Sequence, residues 1–161
     1  MKRVMALCLT AALLIGSVAA AEVPDEAYYL YVFCDPESYV NIREFAKKGS
    51  TVFGELKCGD RVLSCGKKKR GFVLVYLDGF EISEGWIYSP YLSAYPPVIP
   101  EEPEAYRIRE KSRVASWKCI GGERQAWLQP KETVTVTATA GEWALTDRGY
   151  VRLKYLEKAV E

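Results

Sequence analysis

Gly85-Trp86-Ile87-Tyr88-Ser89-Pro90-Tyr91-Leu92 returns 64 residues later as Gly149-Tyr150-Val151-Arg152-Leu153-Lys154-Tyr155-Leu156. Two earlier stretches keep the same order. Leu56-Lys57-Cys58-Gly59-Asp60 is matched by Leu128-Gln129-Pro130-Lys131-Glu132, and Tyr39-Val40-Asn41-Ile42-Arg43-Glu44 by Ala105-Tyr106-Arg107-Ile108-Arg109-Glu110. The offsets are 66, 72 and 64 along the chain, so the order is kept while loop lengths drift. Three colinear matches predict an internal duplication.

Between the copies runs Ala94-Tyr95-Pro96-Pro97-Val98-Ile99-Pro100-Glu101-Glu102-Pro103-Glu104. Its four prolines remove backbone donors and fix φ, which predicts a stiff, extended connector over 96–103 rather than a strand or helix. The connector separates a first unit, 22–95, from a second, 104–161. P-x-x-P occurs twice within it, but a spacer accounts for it more simply than a ligand for a proline-binding groove.

Within each unit the pattern is of short strands. Tyr28–Cys34 ends at Asp35-Pro36; Arg61–Cys65, a turn over Gly66–Gly71, and Phe72–Leu77 follow, closed by Asp78-Gly79. Thr133–Ala140 alternates Thr with Val or Ala, the period of a half-buried strand. Gly141-Glu142 turns it into Trp143–Thr146, and Asp147-Arg148-Gly149 into Tyr150–Leu153. No sustained 3.6-residue period follows residue 21, and 11 tyrosines against 2 methionines favour strands. The expectation is an all-β protein of two small units, each of about 60 residues, near the least that buries a core unaided.

Composition excludes several classes of function. At 49% hydrophobic and 27% charged, the 161 residues are neither disordered nor collagen-like. With 22 Lys and Arg against 21 Asp and Glu, no overall field draws the chain to nucleic acid. The chain has no histidine, so it holds no Ser-His-Asp or Cys-His centre and no His-ligated metal. Asp35, Glu37, Asp60, Asp78 and Glu84 all fall in predicted turns, where such residues serve turn chemistry. Cys34 or Cys65 as a nucleophile would lack an imidazole base. These features predict a protein that is not an enzyme and uses no cofactor or metal.

The first residues read as an address. Lys2 and Arg3 precede the apolar run Val4–Ile15, and small residues follow to Ala21, the pattern of a secretory signal peptide over 1–21. The run is too short to span a bilayer, which takes about 20 residues. Cleavage near Ala21 would leave a chain starting at Glu22 with charges of 20 against 21 and a net of −1. A secreted or envelope location, with no membrane span, is therefore expected. Cys34, Cys58, Cys65 and Cys119 remain, without any C-x-x-C spacing. A Cys58–Cys65 bridge is disfavoured, because a strand over 61–65 would hold the two too far apart. Free, mostly buried thiols are expected.

Val40-Asn41-Ile42-Arg43, Leu56-Lys57-Cys58-Gly59-Asp60 and the closing Gly85-Trp86-Ile87-Tyr88-Ser89-Pro90-Tyr91-Leu92 resemble the bacterial SH3 (SH3b) family. That family has an N-[VI]-R box, a K-x-G-[DE] turn and a closing G-W-[VI]-x-x-x-Y-L. In the second copy Arg107 replaces the Asn, Lys131-Glu132 the Gly-Asp, and Tyr150 the Trp. The resemblance covers nearly all of the chain after the leader.

It implies two tandem SH3-like small β-barrels with a long loop after each box, about Glu44–Phe53 in the first and an enlarged Glu110–Ala126 in the second. It also implies binding rather than catalysis: an exported protein that recognises cell-wall peptide or glycan at the bacterial envelope. The alternative is an adaptor for a secreted or membrane protein. Candidate ligand-binding residues are Tyr39, Phe72 and Tyr91 in the first copy, and Trp117, Trp143 and Tyr155 in the second. Trp86 and Tyr150, flanked by apolar strand residues, are expected in the cores. Lys67-Lys68-Lys69-Arg70 is expected at a solvated hairpin tip, with Glu101, Glu102 and Glu104 available to pair with it.

Overall fold

Alternation in the sequence becomes alternation in space. Along Thr133–Ala140, Val134, Val136, Ala138 and Ala140 are buried while the intervening threonines are not, as a strand with one face on a core requires. The computed structural model describes residues 26–77 and 84–159. The expected leader over 1–21 and the Asp78-Gly79 turn lie outside them.

The first half contains β1 (Tyr28–Val32), β2 (Tyr39–Arg43), β3 (Val52–Lys57), β4 (Arg61–Ser64), β5 (Lys68–Lys69), β6 (Phe72–Tyr76), β7 (Glu84–Tyr88) and β8 (Leu92–Ser93). The second contains β9 (Glu104–Ile108), β10 (Val114–Trp117), β11 (Arg124–Leu128), β12 (Thr133–Ala140), β13 (Trp143–Thr146), β14 (Gly149–Arg152) and β15 (Leu156–Lys158). Single 3-10 turns, Ser89–Tyr91 and Leu153–Tyr155, lead into β8 and β15.

The chain forms two antiparallel sheets. Their orders are β3-β2-β7-β6-β4-β1-β8, with β5 beside β6, and β11-β10-β14-β13-β12-β9-β15. Apart from β5 the two orders are the same, strand for strand, and neither sheet is closed on itself. The likeness reaches single hydrogen bonds. Asp60 accepts from the Lys57 N–H at 2.8 Å, and Glu132 accepts from the Gln129 N–H at 2.7 Å. Val32 donates to the Asp60 carbonyl at 2.8 Å, and Ile108 to the Glu132 carbonyl at 2.9 Å. Phe33 donates to the Tyr91 carbonyl at 2.9 Å, and Arg109 to that of Tyr155 at 3.1 Å.

These equivalences correct one of the three sequence matches. Ala105–Ile108 lies in β9, which occupies the place of β1 and not that of β2. The true counterpart of Asn41-Ile42-Arg43 is Ala115-Ser116-Trp117 in β10: Arg43 faces Trp86 as Trp117 faces Tyr150, and both strands carry a register shift at that point. Consequently 110–126 is not one enlarged loop. It holds β10 and the start of β11, and the connection between them is shorter than the one between β2 and β3.

The lysine run is also more ordered than a simple turn. Lys69 pairs with Phe72, and the loop between them, Arg70 (φ 51°) and Gly71 (φ 81°), has the positive dihedrals of a type I′ hairpin. Glu104 pairs with Lys158 at 2.8 Å rather than with this run. The proline segment is extended but not detached: Val98 exchanges hydrogen bonds of 2.7 and 2.9 Å with Thr139.

Each sheet wraps its own core, the first around Val32, Ile42, Val75 and Ile87, the second around Ile108, Leu128, Val134 and Val151. A third cluster joins them: Phe33 from the first half packs with Ala138, Ala140, Leu145 and Tyr150 of the second. Tyr150 is thus buried as expected, but between the halves rather than in its own core. Trp86 is only half-buried and stands outside all three clusters, because β7 turns Gly85 and Ile87 inward instead.

Candidate functional site

A cleft of about 550 Å³ opens where the two halves meet. Tyr39, Phe72 and Tyr91 all line it. Tyr39, at the start of β2, is 54% exposed, while Phe72 is 3% exposed and offers the cleft little surface. Tyr91 is half-buried at the end of the first 3-10 turn, where Pro90 fixes the turn that presents it. Tyr88 links the last two, with its ring centroid 5.3 Å from Phe72 and 6.1 Å from Tyr91. Lys48, on the loop between β2 and β3, sits 5.5 Å over the Tyr88 ring. Burial raises the Tyr91 phenol above its ordinary value, so the hydroxyl stays protonated and can both donate and accept.

The second half supplies the opposite wall, including Lys118, Gln125 and Asp147. Several charged groups around the cleft are already engaged. Arg43 donates to the Ser50 carbonyl at 2.9 Å, Lys118 pairs with Glu123 at 2.9 Å, and Asp147 accepts from the Thr135 N–H at 2.8 Å. Asp35 accepts from the Glu37 N–H at 2.9 Å, an Asx turn.

Trp117, Trp143 and Tyr155 line a second cleft, of about 570 Å³, on the second half alone. Trp127 joins them. Sequence reasoning passed over Trp127, although strand alternation carries the signal: Leu128 faces the core, so its neighbour on β11 faces out. This cleft is rich in guanidinium stacking. Arg113 and Arg124 lie 4.5 and 4.6 Å from the Trp127 ring, and Arg152 lies 4.9 Å from that of Trp143 while pairing with Glu142 at 2.6 Å. Lys154 lies 4.9 Å from the Tyr155 ring. Much aromatic surface here already has a cationic partner from the same chain.

The structure therefore sorts the six aromatic candidates into two clefts, three in each, and does not bring the two sets together. The Lys67–Arg70 run lines neither. Among the described residues no group of acidic or cysteine side chains could hold a metal ion, and no helix is long and apolar enough to cross a membrane. The four cysteines among the described residues are free thiols; Cys34 and Cys119 are buried, Cys58 and Cys65 partly so.

No family model matches the chain, and comparison with curated proteins gives no match. Among solved structures the chain is similar to NlpC1 from Trichomonas vaginalis, at 13% identity and a TM-score of 0.32, over 87% of this chain and 49% of that one. It is similar also to NlpC2 from the same organism, at 12% identity and a TM-score of 0.34, over 83% and 48%. The chain spans about half the length of these two structures.

Proposed function

We propose that this is a non-catalytic, exported binding protein of two SH3b-like units, which holds cell-wall peptide or glycan in the cleft between its halves. One observation carries the proposal: Tyr39, Phe72 and Tyr91 line a single cleft of about 550 Å³, with Tyr88 and Lys48 beside them. Rigid aromatic surfaces with a few polar groups at the rim suit a ligand with alternating apolar and polar faces, at little entropic cost. The repeated strand order supports two units of one kind, and the leader-like first 21 residues support export. Binding without catalysis is supported by the absence of histidine and by the backbone hydrogen bonds that occupy Asp35 and Asp147.

Sedimentation with purified peptidoglycan tests the proposal. The protein is expected in the pellet, and Tyr39→Ala and Tyr91→Ala are each expected to weaken retention about tenfold, as loss of an anchor worth more than about 1 kcal/mol implies. Tyr39 is more than half exposed, so its truncation should leave the fold intact by circular dichroism. Wild-type protein that stays in the supernatant, or a Tyr39→Ala variant retained as well as wild type, refutes this assignment of the cleft.

A further inference from the structure

Cys34 lines the cleft proposed above as the binding site and Cys58 does not, yet both pack on the first core. In the β1–β4 ladder Leu30 pairs with Val62 and Tyr31 with Arg61. Past the ladder Gly59, at a φ of 94°, makes a bulge opposite Val32, and the Lys57–Asp60 turn sets Cys58 beside the segment that carries Cys34. The segments stay joined past the ladder by bonds from Val32 N–H to the Asp60 carbonyl and from Gly59 N–H to the Val32 carbonyl, both 2.8 Å. The Cys34 thiol and backbone N–H lie against the Cys58 sulfur, and the carbonyl oxygens of Asp35 and Ser38 are the thiol's other acceptors, at 3.4 and 3.9 Å. Both side chains pack on the first core. Cys65 and Cys119 are placed differently: Cys65 lies 3.8 Å from the Tyr76 hydroxyl, and Cys119 belongs to the second half beneath Gly122.

We infer that Cys34 and Cys58 are a redox-active pair, closed to an intramolecular disulfide by exchange with a small-molecule disulfide. The hydrogen bond from Cys34 brings the Cys58 thiol down to about 7, whereas being that donor, together with burial, drives the Cys34 thiol up. Cys58 is thus the attacking thiolate and Cys34 the resolving thiol. Cys58 sulfur attacks one sulfur of the small disulfide, forming a mixed disulfide and expelling one thiolate. Cys34 then gives up its proton to the small thiolate already expelled, its sulfur attacks that of Cys58, and the second thiolate leaves to be protonated by water. Two protein thiols are oxidised, and one small disulfide is reduced to two thiols. Cys34 lines the cleft between the halves, which gives a small reagent a route to the pair. The loop so closed contains β2 and β3, including Tyr39, so oxidation fixes one wall of that cleft.

The test incubates the full chain with glutathione disulfide, blocks remaining thiols with N-ethylmaleimide and maps unreduced peptides by mass spectrometry. The expected product joins Cys34 to Cys58, with Cys65 and Cys119 alkylated, and melts on the order of 10 °C above the reduced protein. Cys34→Ser and Cys58→Ser abolish the link, and Cys65→Ser and Cys119→Ser keep it. In the reduced protein the rate of Cys58 alkylation rises with pH around a midpoint of about 7. Full alkylation of Cys34 and Cys58 after oxidant, arrest at a glutathione adduct, or a bridge from Cys58 to another cysteine each overturns the inference. The wild-type map decides the matter even where a serine variant fails to fold, and it does not depend on whether wall material binds.

Discussion

Lys131 carries a conformation that belongs to glycine. Its φ is 65°, and its counterpart in the first half, Gly59, has a φ of 94° in a turn closed by the same hydrogen bonds. A side chain in the left-handed region costs roughly 1–2 kcal/mol, and glycine's greater freedom in the unfolded chain returns part of that. Lys131→Gly is therefore expected to raise unfolding stability by about 0.5–1 kcal/mol in urea titrations. The reverse change, Gly59→Ala, is expected to lower it, and purely through the backbone, because a Cβ at Gly59 meets nothing within 4 Å. A Lys131→Gly variant less stable than wild type would refute this account of the turn. The turn was readable in the sequence because its parts are local: an acidic side chain closes it onto a backbone N–H three residues earlier, and Leu56 and Leu128 mark where it starts.

Strands were found more readily than they were identified. Thr133–Ala140 and Trp143–Thr146 are read directly from their alternation, since one face must meet a core. Alternation says that a stretch is a strand but not which strand it is. Any stretch that buries every second residue resembles any other, and the Ile-Arg-Glu shared by 42–44 and 108–110 matches Ala105–Glu110 to β2 although it runs through the β1-like strand. What identifies β10 is long-range pairing, through Trp117 and Tyr150, and that pairing leaves no local mark. The same correspondence exposes a weakness. Ile42 in β2 and Ser116 in β10 hold equivalent places and both are fully buried, but the Ser116 hydroxyl has no hydrogen-bond partner among the described residues. A buried, unpaired hydroxyl costs on the order of 1–3 kcal/mol. Ser116→Ala removes it with little change in volume and is expected to raise stability by about 1 kcal/mol by chemical denaturation. A loss of stability in Ser116→Ala would mean that the hydroxyl is satisfied after all.

At the scale of the whole molecule, the duplication does not yield two beads on a string. The third cluster holds the halves together, and the cleft with Tyr39 and Tyr91 exists only because Lys118, Gln125 and Asp147 close its far side. The aromatic residues could be named from the sequence, but that shared wall could not, because it joins residues distant along the chain through packing alone. The join centres on Phe33 and Tyr150, whose rings meet edge to face at 5.4 Å while the Tyr150 hydroxyl donates to the Phe33 carbonyl at 3.1 Å. Phe33→Ala opens a void in this cluster and is expected to cost about 3–5 kcal/mol. Tyr150→Phe keeps the ring but leaves the Phe33 carbonyl without this donor, at a cost of about 1–2 kcal/mol. Proton linkage reports on the burial of the Tyr150 phenol in this cluster. Burial raises the Tyr150 phenol above its ordinary value of 10.0, so the folded state holds this proton more tightly than the unfolded chain does. The resulting stability is complete below pH 10 and is lost as pH rises from there toward the folded value. Wild type should thus lose stability steeply in denaturant titrations above pH 10, and Tyr150→Phe should show a shallower alkaline decline. Equal alkaline slopes in the two proteins would show that the fold does not hold the Tyr150 phenol in its protonated form.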